Sequence, residues 1–116
     1  MKMTKIAITL AATLAVAAPA LAQDLHFPML NYRTGAYAPG GIPFADGYAD
    51  YLTLVNQRDG GIGGLPIRTT ECETAYNTER GVECYESIRD DNPLVLQPLS
   101  TGITYQLIPR AAEDQI

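Results

Sequence analysis

The stretch LNYRTGAYAPGG, at positions 30–41, decides the fold of this chain. It begins inside an apolar run over residues 25–32, which is a plausible first strand although Pro28 weakens it. Its second half belongs to a loop over residues 33–43 that is marked by closely spaced glycines and prolines. A strand that leads through a glycine-rich loop towards a helix is the opening of an α/β unit.

The segment after this loop has the periodicity of an amphipathic helix. Its apolar side chains fall on one helical face, which we expect to pack against a sheet: Phe44, Tyr48, Tyr51, Leu52 and Val55. Gly60 and Gly61 then supply the left-handed stop that ends many helices. The first strand is therefore followed by a helix of defined length.

Two more strand–helix units follow. Residues 66–72 predict a second strand, because their threonines and β-branched side chains suit a sheet. The second helix is predicted to begin at Asn77 or Thr78, either of which can cap it, and to run to about Arg89. Its inward-facing side chains are expected to be Val82, Tyr85 and Ile88.

The third unit completes a regular alternation. Residues 94–96 predict a short apolar strand of a sheet covered on both faces, and residues 103–114 predict a helix that Pro109 bends or confines. The order βα-βα-βα indicates an α/β fold with a doubly wound parallel sheet. Because three strands are few for this architecture and no strand follows the last helix, we expect the opening part of a longer protein. A genuine small domain is the alternative.

The first 22 residues predict a secretory signal peptide. Lys2 and Lys5 precede a short apolar run over residues 6–18, and Ala20-Leu21-Ala22 forms an A-x-A cleavage site before Gln23. The alternative is a buried N-terminal helix. Without the two lysines, residues 23–116 carry six basic and thirteen acidic side chains, so we expect an acidic protein of the bacterial periplasm.

The expected export bears on whether the two cysteines form a disulfide. Cys72 and Cys84 are the only pair, and two lone cysteines in an oxidising compartment are usually bridged. The alternative is two free, buried thiols. Together with His26 they do not make the four ligands of a zinc site, so no metal is expected.

The composition excludes several classes of function. The chain has a formal net charge of −5 and no cluster of lysine and arginine, so the electrostatics of nucleic-acid binding are missing. Gly41 occupies the place where a phosphate-binding loop would need lysine. His26 stands alone, and Glu71 and Glu73 have no partner that would make them an acid–base pair. We therefore expect neither an enzyme nor a cofactor.

A binding site is expected at the carboxyl ends of the strands, where open α/β sheets bind ligands. The glycine-rich loop lets the backbone approach a ligand closely. Ser100 and Thr101 stand at the head of the third helix, where their hydroxyls and the free N–H groups suit a carboxylate or another anion. A helix cap alone would also explain Ser100 or Thr101, and the two roles are compatible.

Several segments, taken in order, resemble one family. They are residues 30–41, Asp46-Gly47, Leu54-Val55-Asn56, the turn GGIGGLPI at 60–67 and the loop PLSTG at 98–102. Together they resemble the N-terminal part of the periplasmic solute-binding proteins of branched-chain amino-acid-type ABC transporters, the leucine-binding-protein-like family. The resemblance covers essentially all of residues 23–116, and it depends on the order and spacing of the motifs.

The resemblance implies two α/β lobes joined by a hinge, of which residues 23–116 would form the opening part of the first. Ser100 and Thr101 would hold the ligand's carboxylate or an equivalent polar group, and Tyr37, Gly40 and Gly41 would line the cleft. The implied ligand is a small polar solute such as an amino acid, an amide or urea. The implied partner is an ABC permease in the inner membrane.

Three other interpretations of the function stay open. A ligand-sensing ectodomain of a receptor can use the same fold, and a fragment can lack any independent activity. A small secreted enzyme is the third, and the missing nucleophile–base pair speaks against it.

Overall fold

The computed structural model describes residues 23–116. The signal peptide expected over residues 1–22 lies outside the described residues. Within the described part of the chain, no helix combines the length and the apolar composition needed to cross a membrane.

Within residues 23–116, five short strands form the sheet structure, and every pairing between them is parallel. They are β1 (Leu25–His26), β2 (Met29–Asn31), β3 (Ile67–Arg68), β4 (Glu71–Glu73) and β5 (Gln97–Pro98). β1 pairs with β3, and β2 lies between β4 and β5. The parallel α/β fold predicted from the sequence is confirmed.

In the described part of the chain, three α-helices follow these strands: α1 (Ala38–Asp59), α2 (Thr78–Ile88) and α3 (Thr101–Asp114). They begin shortly after the carboxyl ends of β2, β4 and β5, respectively. Adjacent residues of a strand point to opposite faces of a sheet. In β4, Cys72 is bonded to α2, whereas the neighbouring Glu71 forms an ion pair with Arg33, which also binds Asp46 of α1. The sheet therefore carries helices on both faces.

The first two predicted strands are each divided in two. Pro28, which has no N–H to donate, separates β1 from β2. The N–H of Phe27 still donates to the carbonyl of Arg68 at 2.8 Å, and that of Met29 to the carbonyl of Thr70 at 2.8 Å. Pairing of the backbone therefore continues past the interruption, and the predicted order of elements holds.

The third strand lies three residues later than predicted. Residues 94–96 were expected to form it, but Leu94 and Val95 are exposed and the strand is Gln97–Pro98. Two hydrogen bonds set its position. The N–H of Gln97 donates to the carbonyl of Pro28 at 3.1 Å, and the N–H of Leu99 donates to the carbonyl of Leu30 at 2.8 Å. An apolar run alone does not determine which residues pair with a neighbouring strand.

Helix α1 differs from its prediction in its start and in its buried face. It begins at Ala38, because Pro39 suits a first turn, where no N–H is needed. Residues 38–43, expected as loop, are therefore helical. The helix buries small residues and one leucine, namely Gly41, Ala45 and Leu52. Two members of the predicted inner face, Phe44 and Tyr51, are exposed.

The core lies between β2 and the helices α2 and α3. Its buried members are Leu30, Cys84, Tyr85, Ile103 and Leu107. The predicted inner face of α2 is confirmed, because Val82 and Ile88 pack against this cluster and Tyr85 lies within it. The Tyr85 hydroxyl donates to Asp114 at 2.6 Å, and burial together with this carboxylate raises the pKa of Tyr85 to about 12.

Cys72 of β4 and Cys84 of α2 are joined by a disulfide in the structure. Their Cα atoms are 5.8 Å apart, a usual separation for a bridged pair. The bond closes the segment that contains the β4–α2 turn. It therefore restrains one of the three loops at the carboxyl edge of the sheet.

Candidate functional site

The carboxyl edge of the three-stranded sheet gathers the three segments that precede α1, α2 and α3. Because all three helices begin here, their positive dipole ends converge on this edge. This is also the edge at which open α/β sheets bind ligands. The arrangement favours a small ligand with a negative or hydrogen-bond-accepting group.

Ser100 and Thr101 form the head of α3, as the sequence predicts. Ser100 is the N-cap, and its side-chain oxygen accepts a hydrogen bond from the N–H of Ile103 at 3.4 Å. Thr101 is exposed, and the N–H groups of Thr101 and Gly102 have no partner within the helix. The capping role of Ser100 is thus observed, and the first turn keeps donors for a ligand.

A cavity of about 370 Å³ opens beside these two residues. It lies between the exposed Phe44 of α1 and the start of α3, and Thr104 contributes a further hydroxyl. Its volume suits a small solute. Its remaining lining comes from Gln97, Pro98, Leu99 and Tyr105.

Tyr37 lies in an aromatic cluster at the same edge. Its ring centroid is 4.3 Å from that of Tyr76 and 6.5 Å from that of Tyr32, and the centroids of Tyr32 and Tyr76 are 5.0 Å apart. Of these three tyrosines, only Tyr37 is predicted from the sequence as a site residue. No spacing in the sequence predicts that the β2–α1 and β4–α2 loops place tyrosines in contact.

The two glycines predicted to line the cleft have different surroundings. A Cβ on Gly41 would lie 1.9 Å from the carbonyl oxygen of Tyr32, so this glycine allows α1 to approach the end of β2. Gly40 is exposed, and a Cβ there would meet no atom within 4 Å. A cleft-lining role for both residues remains a proposal.

Glu73 ties two of the loops together. Its Oε1 accepts hydrogen bonds from the N–H of Arg33 at 3.1 Å, the hydroxyl of Thr34 at 3.1 Å and the N–H of Ala75 at 2.9 Å. Burial opposes ionisation, but the hydrogen bonds from Ala75 and Thr34 outweigh it and lower the pKa of Glu73. The sequence alone presents Glu73 only as a candidate acid or base.

Arg33 joins the β2–α1 loop to β4 and to α1. Its guanidinium binds both carboxylate oxygens of Glu71 and donates to Asp46 of α1 at 2.7 Å. The hydrogen bond to Glu71, followed by that to Asp46, raises the pKa of Arg33, and the Arg33 hydrogen bond lowers the pKa of Glu71. These ion pairs position the loop that carries Tyr37.

His26 is buried among structural contacts rather than exposed at the carboxyl edge of the sheet. It is buried, its Nε2 is 2.7 Å from the Thr70 hydroxyl, and its Nδ1 is 3.1 Å from the carbonyl oxygen of Asp91. Among residues 23–116, no group of three or more histidine, cysteine or acidic side chains could hold a metal ion.

A larger cavity, of about 680 Å³, lies around His26 at the opposite end of the strands. It is a weaker candidate because α2 and α3 end beside it, so their negative dipole ends face it. The charges of its lining are also paired, since Arg68 binds Asp24 and Asp91, each at 3.0 Å.

The contacts of Glu73 predict that the stability of the fold depends on pH. Because its pKa in the folded state lies below the ordinary 4.5, the carboxylate stabilises the fold above pH 4.5, and this stabilisation is lost as the pH falls through the lowered value. We expect Glu73→Gln to reduce the free energy of unfolding by about 1 kcal/mol at pH 7 and by less below pH 4.5. Urea unfolding at several pH values measures this. Glu83→Gln, at an exposed site on α2, is the control, and an equal effect of both changes contradicts the prediction.

Comparison with known proteins identifies the family to which this fold belongs. The sequence model of the periplasmic binding protein family matches residues 24–116. The chain therefore belongs to the periplasmic binding protein family.

Several solved structures share this fold, among them the following three. A protein described as an ABC transporter permease, from the Pseudomonas fluorescens group, is 38% identical with a TM-score of 0.70 over 80% of this chain. A fatty acid ABC transporter substrate-binding protein from Thermomonospora curvata is 24% identical with a TM-score of 0.74 over 81%. A substrate-binding periplasmic protein from Ralstonia solanacearum is 24% identical with a TM-score of 0.71 over 80%.

The chain spans about a quarter of each of these structures, namely 23%, 24% and 27% of their lengths. No curated protein sequence matched it.

Proposed function

We propose that this chain contributes the opening part of the first lobe of an exported solute-binding protein that serves an ABC permease. The observation that carries the proposal is the cavity beside Ser100 and Thr101, at an edge where three helices direct their N-termini. Membership of the periplasmic binding protein family supports a binding role. In this proposal residues 1–22 are the signal peptide and residues 23–116 are the partial lobe.

The proposed ligand is a small polar solute, such as an amino acid, an amide or urea. Thr101 and Gly102 offer backbone donors, and the hydroxyls of Ser100 and Thr101 lie beside them. A carboxylate or carbonyl oxygen at this position would satisfy these donors and would gain from the helix dipole. Tyr37, at the end of the β2–α1 loop, and Gly40, in the first turn of α1, would form another wall of the site.

The proposed mechanism is capture without chemistry. A solute held at this edge would be enclosed when a second lobe closes over it, as in hinge-closing binding proteins. Glu71 and Glu73 are not available as an acid–base pair, because both accept hydrogen bonds from Arg33 of the β2–α1 loop. We therefore propose a binding protein of the periplasm rather than an enzyme. The disulfide between Cys72 and Cys84 suits that oxidising compartment.

Thr101→Val tests the proposed site. The change keeps the shape of the side chain and removes one donor, so we expect solute affinity to fall by about 1–2 kcal/mol. Calorimetric titration of the full chain with L-leucine, acetamide and urea measures it. Thr53→Val is the matched control, because Thr53 lies on α1 and its hydroxyl donates to Ala49. Unchanged affinity in Thr101→Val, for a solute that binds the wild type, removes Thr101 from the site.

A further inference from the structure

Gln23 stands at the edge of the fold, where the proposed signal peptide meets the folded part of the chain. It is exposed and precedes β1 by two residues. The residues that follow it anchor the chain. The carboxylate of Asp24 binds Arg68 at 3.0 Å, and the N–H of Leu25 donates at 2.9 Å to the carbonyl of the residue before β3. Removal of residues 1–22 would therefore leave an exposed amino terminus beside an anchored strand.

The α-amine of Gln23 would be the only primary amine of the processed chain. Both lysines of the sequence, Lys2 and Lys5, lie in the proposed signal peptide, and the six basic residues that remain in 23–116 are arginines. A reagent that reacts with primary amines therefore reports on the amino terminus alone. The fate of this one amine can be read without interference from side chains.

An amino-terminal glutamine carries both groups of an intramolecular condensation. The α-nitrogen of Gln23 attacks the side-chain carbon Cδ and closes a five-membered lactam, pyroglutamate. The bond between Cδ and Nε2 breaks, and Nε2 leaves as ammonia with the proton that the attacking amine gives up. The two groups belong to one residue, so proximity favours the attack. Because an α-amine has a pKa of about 8, roughly a tenth of it is uncharged and nucleophilic at pH 7.

The ion pairs around Gln23 do not depend on a charged amino terminus. The terminal glutamine lines the cavity of about 680 Å³ together with three aspartates. Asp24 and Asp91 each bind Arg68 at 3.0 Å, and Asp114 lies 3.8 Å from Arg89. Every one of these carboxylates thus has a guanidinium partner. Conversion of the terminal ammonium into a neutral lactam leaves none of them unpaired.

We propose that Gln23 is a modification site, which cyclises to pyroglutamate once the signal peptide has been removed. This inference rests on the part of the proposed function that assigns residues 1–22 to a signal peptide cleaved before Gln23. It goes beyond that function by stating the chemical form of the mature amino terminus. The mature protein then carries no primary amine, and it resists aminopeptidases, which bind a free α-amine.

Intact mass and amine labelling test the modification together. The full chain is exported with residues 1–22, purified from the periplasm and held at neutral pH until its mass stays constant. We expect a mass one ammonia below that of residues 23–116, and no label from an N-hydroxysuccinimide ester. Pyroglutamyl aminopeptidase should remove the lactam and restore one label per chain, on Asp24.

Gln23→Asn is the matched control for the ring closure. It keeps a side-chain amide, but the same attack would have to close a strained four-membered ring. We expect this variant to retain its ammonia and to take one label per chain. Loss of ammonia from both proteins would show that the lactam at residue 23 is not its source, and would overturn the inference.

The outcomes separate this inference from the proposed function. A wild-type chain that begins at Gln23, retains its ammonia and takes one label overturns the modification, while export and cleavage stand. A chain cleaved at another position does the same. A mass that includes residues 1–22, with labels on Lys2 and Lys5, contradicts the signal peptide and the modification together.

Discussion

Gly41→Ala is expected to lower the free energy of unfolding by about 3 kcal/mol, the upper range for over-packing a buried site. The added Cβ would lie 1.9 Å from the carbonyl oxygen of Tyr32 and 2.4 Å from its ring. The backbone oxygen cannot move without disturbing the end of β2. The clash therefore outweighs the gain in helix propensity of about 1 kcal/mol that alanine normally brings over glycine.

Gly47→Ala is the matched control for this change. Gly47 lies in the same helix, and a Cβ there would meet no atom within 4 Å. We expect this variant to be more stable than the wild type by about 1 kcal/mol. Urea unfolding of the purified full chain compares the two. Equal effects of the two substitutions would show that α1 does not approach β2 as described.

The second large effect is expected from removing the disulfide. Cys72 and Cys84 are 12 residues apart in sequence, and closing a loop of this size stabilises the fold by about 3 kcal/mol in the chain-entropy model. We expect Cys72→Ala combined with Cys84→Ala to lower the free energy of unfolding by this amount. The β4–α2 turn lies inside the loop, so Tyr76 should become more mobile as well.

Alkylation and reduction provide the controls for this prediction. Intact mass after alkylation without reductant should show no modified thiol, and reduction should destabilise the wild type to the level of the double variant. The double variant itself should not respond to reductant. Alkylation of both cysteines before reduction, or equal stability with and without reductant, contradicts the bridge.

The order of the elements could be read from the sequence because it depends on local signals. Asn77 caps α2, and its side chain accepts a hydrogen bond from the N–H of Arg80 at 2.9 Å. Ser100 caps α3 in the same way. Gly60 ends α1 with φ at +71°, as a left-handed stop requires. At each of these positions, the type of residue itself indicates where a helix begins or ends.

The errors arose where tertiary contacts outweigh local patterns. The periodicity placed Phe44 and Tyr51 on the inner face of α1 together with Leu52, but of these three only Leu52 is buried, because the helix packs closely through Gly41 and Ala45. Small residues carry little weight in a hydrophobic pattern, although they decide how near two elements can come. The apolar run at 94–96 was misplaced for a related reason, since backbone pairing with β2 determines the strand.

The site could be predicted only in part. Helix-capping chemistry pointed to Ser100 and Thr101, and the glycine-rich loop pointed to the region of Tyr37. Tyr76 gave no signal, because its ring reaches Tyr37 only through a strained turn that connects different elements. Glu73 was missed as a positioning residue because most of its hydrogen-bond donors are backbone N–H groups, which a sequence does not display.

The central claim is that a small solute binds at the carboxyl edge of the sheet, at the start of α3. Titration of the ¹⁵N-labelled full chain with L-leucine, acetamide, urea and benzoate tests it most directly. We predict that at least one of them shifts the amide resonances of Thr101 and Gly102 most strongly, while those of Gly63 and Gly64, in the turn after α1, stay unchanged. No shift with any of the four, or the largest shifts around His26 and Arg68 at the opposite cavity, would contradict the account.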